Sequence, residues 1–125
     1  MKAQEQLENA VGSKVPEKVK ELEAQLVPSS DRAPEVAAIP NAFTGFCLYR
    51  THGLVRLICF SGSINNNSRV LVGISEFGAT PQDRFIGSAR MTVYNIAPFN
   101  GGFVVLADVA WGSDLNIRLD VFVDP

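Results

Sequence analysis

Leu115-Asn116-Ile117-Arg118-Leu119-Asp120-Val121-Phe122-Val123 places an aliphatic residue at every second position and a polar or aromatic one between. Side chains of an extended strand point alternately to its two faces. This stretch therefore sets Leu115, Ile117, Leu119, Val121 and Val123 on one side, and Asn116, Arg118, Asp120, Phe122 and Asp124 on the other. A helix would spread the same residues around its circumference. The reading is a strand with one face on a core and the other open to solvent or a partner.

The segments upstream agree with it. Residues 103–111 are apolar except for Asp108, and Gly112-Ser113-Asp114 separates them from the last strand. Residues 97–102 (Ala-Pro-Phe-Asn-Gly-Gly) read as a turn, residues 84–96 hold a strand centred on 89–95, and residues 69–77 form another. Residues 61–68 are a polar loop with three consecutive Asn, a residue that tolerates left-handed turns. Residues 43–50 and 54–60 are β-branched and aromatic runs on either side of Thr51-His52-Gly53, a spacing that predicts a hairpin. The second run is apolar on both faces except at Arg56, which predicts a central, doubly covered strand. Arg56 and Asp108 are the charges that interrupt apolar strands, so they are expected to pair. Six short strands with Gly, Asn and Pro turns predict a mainly β domain over residues 43–125, an antiparallel β-sandwich or jelly-roll-like fold.

Residues 1–40 differ in character. They hold five cations and seven anions, whereas residues 41–125 hold six Arg, no Lys, and six Asp or Glu. Leu7, Val11, Val15, Val19, Leu22 and Leu26 step by threes and fours, which predicts a thin helical stripe broken at Gly12 and Pro16. The expectation is a helical N-terminal segment, residues 1–27, with helices over 3–11 and 16–27. Residues 28–42, with three prolines and no period, read as an arm or linker. Candidate interface residues are Leu7, Val11, Val19, Leu22 and Leu26 on the stripe, and Arg118 and Phe122 on the open face of the last strand.

Composition narrows the function classes. A net charge of −2 and pI near 5.3 give no strong nucleic-acid signal. No apolar run is long enough to predict a membrane span, and the polar N-terminus carries no secretory h-region. His52 is the sole histidine and Cys47 and Cys59 the sole cysteines, too few for a zinc centre. A Cys47–His52 catalytic pair is conceivable, but a packed thiol and a turn histidine are the simpler reading. In the predicted hairpin the two sulfurs are out of register, so they are expected to be reduced thiols in a cytosolic setting. Asn66-Asn67-Ser68 fits a glycosylation sequon and is read as loop. No cofactor is expected, and no catalytic residue is assigned.

Residues Leu48 to Arg56 resemble a strand of picornavirus-like capsid proteins, Val93 to Asn100 resemble a later segment of those jelly rolls, and Leu115 to Val123 resemble their closing strand. The resemblance spans most of residues 43–125. It implies a coat-forming protein whose sheet faces and loops contact neighbouring subunits. The expected function is accordingly non-enzymatic: a virion subunit, capsid or tail-type, that self-associates or meets related capsid subunits, located in the virion or the cytoplasm. The alternative is a β module that binds carbohydrate, a receptor or peptide through loops 61–68 and 97–102.

Overall fold

The computed structural model describes residues 19–29 and 41–125. Among these residues there is no helix, and the strands are β1 (Lys20–Gln25), β2 (Val27–Pro28), β3 (Phe43–Thr51), β4 (Gly53–Phe60), β5 (Arg69–Phe77), β6 (Arg84–Phe85), β7 (Arg90–Phe99), β8 (Gly102–Ala110) and β9 (Leu115–Asp124). They form two sheets, ordered β1-β4-β8-β7 and β2-β3-β9-β5-β6. The described residues are mainly β, with a two-layer sandwich architecture. The last strand behaves as its alternation requires, with Ile117, Leu119, Val121 and Val123 buried. They meet Val55, Leu57, Phe103, Val105 and Val109 from the opposite sheet in one core.

The expected hairpin at Thr51-His52-Gly53 is not formed. β3 pairs with β9 and β4 pairs with β8, so the two strands lie in different sheets. A hairpin would set the rows Cys47-Tyr49-Thr51 and Val55-Leu57-Cys59 side by side on one face. Facing each other across the interior, all six bury one another. Gly53, at φ 81°, supplies the left-handed residue that this abrupt crossing uses.

The same rearrangement overturns the expectation of reduced thiols. Cys47 and Cys59 face each other between the layers, with Cα atoms 6.4 Å apart, and form a disulfide that ties the sheets together. Both are fully buried. Beside them the Tyr49 hydroxyl donates to the Ile58 carbonyl at 2.9 Å. Burial pushes the Tyr49 phenol well above its ordinary range, which keeps it protonated as a donor. Tyr49→Phe leaves that buried carbonyl without this donor, and is expected to cost about 1–2 kcal/mol in urea-unfolding measurements.

The helix expected over residues 16–27 is also corrected. Residues 20–25 form β1, a parallel strand on the edge of β4 with Leu22 opposite Leu57. Leu22, Ala24 and Leu26 turn inward while Glu21, Glu23 and Gln25 face out. Leu22 and Leu26 are four apart, a spacing that suits a helical face and a strand face equally. The unpaired edge of β4 decides between them by offering ladder partners to the whole segment. At Leu26, whose N–H donates to the Phe60 carbonyl at 2.9 Å, the chain changes sheet. Val27 and Pro28 then pair with β3 in the other layer. Pro28 thus belongs to a strand and not to the arm; the expected helix over 3–11 and the arm over 30–40 lie outside the described residues.

Arg56 and Asp108 do not pair. Arg56 Nη1 bonds Glu21 Oε2 of β1 at 3.1 Å, while Asp108 lies opposite Leu54 and Thr92. The turn expected over 97–102 is shorter, because β7 runs through Pro98 to Phe99. Proline is tolerated there because β7 is an edge strand. On the outer face of this sheet Phe60, Gly102 and Phe99 share one row. The two rings meet edge to face over the glycine, 6.2 Å apart, and Ile58 and Val104 pack beside them.

Candidate functional site

The ladders of the five-stranded sheet put Pro28, Gly45, Val121 and Val72 in one row across β2, β3, β9 and β5. Val121 and Val72 point to the core and glycine has no side chain, so this row shows mostly main chain to the outer face. On one side of it stands the row Phe46–Asp120–Gly73, on the other Thr44–Phe122–Leu71. The result is a groove of about 790 Å³ that runs across the strands. Pro28 and Ser29 from the β2 edge also line it, as do Gln82 and Arg84, the latter reaching Asp120 of β9.

Asp120 organises the polar part of the groove. Its Oδ1 accepts from Arg118 Nε at 2.9 Å and its Oδ2 from Arg84 Nη1 at 2.7 Å. The Arg118 guanidinium lies over the Phe46 ring, 4.1 Å from its centroid, and Nη1 donates to the Pro81 carbonyl at 2.8 Å. Arg118 is only 9% exposed, so its role is to build the floor. Phe122 is half-buried, and Leu71 beside it is 66% exposed. Gly73 is open: a Cβ placed on it would touch nothing within 4 Å.

Of the residues expected to form an interface, the structure brings Arg118 and Phe122 together on this floor. Leu22 and Leu26 are packed into or against the core and form no outward stripe. Val19 is half-buried just ahead of β1, and Leu7 and Val11 lie outside the described residues. The loops expected to bind ligand do meet. Ser61 N–H donates to the Gly101 carbonyl, Gly101 N–H to the Ile64 carbonyl, and Asn66 N–H to Asn100 Oδ1. They contribute no residue to the groove lining. Sequence reading missed Phe46, Gly73 and Arg84; an isolated glycine within a strand was the available signal at Gly73.

His52 and Cys47 make no pair, since Cys47 is held in the disulfide. His52 Nδ1 instead bonds Asp114 Oδ1 at 2.7 Å, which pins the β3–β4 crossing to the β8–β9 loop. That hydrogen bond holds the Asp114 carboxyl below its ordinary range. Among the described residues no group of three or more His, Cys, Asp or Glu is placed to hold a metal ion. No helix among them is long and apolar enough to cross a membrane. Comparison with protein-family models, curated proteins and solved structures finds no match to this chain.

Proposed function

We propose that this chain is a non-catalytic β-sandwich module that works by binding, with the groove across its five-stranded sheet as the place where an extended ligand lies. One observation carries the reading: a row that presents mainly backbone, flanked by two rows of aromatic, aliphatic and charged side chains, one of them left open at Gly73. Grooves that combine apolar surface with a few fixed polar groups are the usual form of a recognition site. The ligand is carbohydrate or peptide, taken by the sheet face and not by loops 61–68 and 97–102.

The test is Gly73→Leu. The added side chain enters empty space on the outer face, and leucine suits a strand better than glycine, so the fold is expected to persist. The side chain also fills the groove. Wild type is expected to capture members of an array of linear oligosaccharides and random-sequence peptides, and the variant to lose them with an unchanged thermal midpoint. Equal capture by both proteins refutes the groove as the site.

A second reading, a self-associating virion subunit, is favoured by the strand order. The first long strand, β3, pairs with the last, β9, and the second, β4, pairs with the last but one, β8. Those two nested pairs match the outer part of the hairpin that a jelly roll rolls up, while the inner strands β5 and β7 pair with β9 and β8 instead. The disulfide suits an extracellular particle or another oxidising compartment under either reading. Native mass spectrometry separates the two: a monomer at every concentration removes the assembly reading.

A further inference from the structure

We infer that the groove takes an acidic oligosaccharide, a linear chain of sugars bearing carboxylates; the inference rests on the groove being the binding site. Its direction is the first reason. It crosses four strands, a span of about 14 Å at about 4.8 Å per strand spacing. The main-chain groups of β3 and β9 are already used in ladders on both sides. A peptide lying across them would leave its own amides and carbonyls without backbone partners, whereas peptides that use the main chain run along a strand edge. A sugar chain brings hydroxyls on its rim and C–H bonds on its ring faces. Phe122, with Leu71 beside it, offers apolar surface to such a face.

The polar groups supply the second reason. Each carboxylate oxygen of Asp120 already accepts a hydrogen bond from an arginine, so its negative charge is matched within the groove. Arg84 is open. Its Nη1 is held by Asp120, while Nε and Nη2, the side-on fork that matches a carboxylate, have no partner among the described residues. Its side chain is 47% exposed in the groove lining. Two arginines against one aspartate leave the lining with one net positive charge, in a chain whose sum is −2. Asp120 therefore acts as a positioning residue that aims Arg84, and the ligand group that completes the arrangement is an anion with two planar oxygens.

The test is calorimetric titration of the full chain with tetragalacturonate, its carboxyl-reduced counterpart, cellotetraose and tetraglutamate. Tetragalacturonate is expected to bind at least about tenfold tighter than the reduced sugar, the scale of one charge-assisted bidentate contact. Arg84→Gln is expected to erase that difference, and Arg84→Lys, which keeps the charge and loses the fork, to restore only part of it. Gly73→Leu is expected to abolish binding of every probe. Equal affinity for the uronate and its reduced form overturns the ligand class, and so does preference for cellotetraose or tetraglutamate. Each of those outcomes leaves the groove standing if Gly73→Leu still blocks binding. Failure of all four probes overturns the inference, and binding indifferent to Gly73→Leu overturns the groove itself.

Discussion

The Cys47→Ala/Cys59→Ala double variant is expected to unfold in urea with a stability about 3 kcal/mol below wild type, the cost of freeing a short closed loop in the unfolded chain. The bridged residues are 12 apart in sequence yet lie in different sheets, so the link closes a loop and clamps the layers in one step. With about 5–15 kcal/mol as the stability of an ordinary domain, this is a large share. At urea slopes of about 1–3 kcal/mol/M the midpoint falls by about 1–3 M. Reductant added to wild type should reproduce the loss once the protein has been unfolded and refolded in its presence, because both sulfurs are buried in the native state. The double variant should ignore reductant. A wild-type midpoint that reductant leaves untouched would show that the bridge contributes nothing.

Gly102→Ala is expected to be at least as damaging, and by a different route. A Cβ at this position would collide with the carbonyl oxygen of Cys59 and stand 3.1 Å from the Cα of Phe60. These are backbone atoms of the paired strand, so no rotamer change relieves the clash; β8 must move away from β4. Ordinary overpacking costs about 1–3 kcal/mol, and a clash against a central ladder belongs at or above the top of that range. The displaced strand also carries Phe103, which is fully buried. Thermal unfolding of Gly102→Ala beside Gly73→Ala makes the comparison direct, since the second glycine has open space where the first has a neighbouring strand. Equal midpoints for the two variants would refute the account.

The contrast between those glycines shows what one chain of letters can reveal. Each lies in or at the end of an apolar run, and only the pairing partner separates a forbidden side chain from a harmless one. Patterns carried within one strand were legible: the alternation of β9 placed Arg118 and Phe122 on one outward face, and both line the groove. Patterns that depend on which strands meet were not. Residues 43–50 and 54–60 look like a hairpin because both have strand character and a turn lies between. The energetic choice, two apolar rows buried against each other, appears only when β8 and β9 are present to take the ladders. The cysteines followed that error, having been placed on neighbouring strands of one sheet. Leu22 and Leu26 misled through their spacing of four. Arg84 was invisible because nothing local joins it to Asp120, 36 residues away in sequence.

The segment that changes layer at Leu26 has a consequence for how the molecule keeps to itself. Residues 20–28 occupy the outer rim of β4 and part of that of β3, so nine residues cover two rows of main-chain groups that would otherwise invite another chain to dock by hydrogen bonding. Cleavage between Gln25 and Ser29 would uncouple the two halves of that cover at once. Once β1 and β2 come away, such a nicked molecule has the edges of β4 and β3 bared for intermolecular β pairing, and should form fibrils or precipitate under conditions where the intact protein remains dispersed.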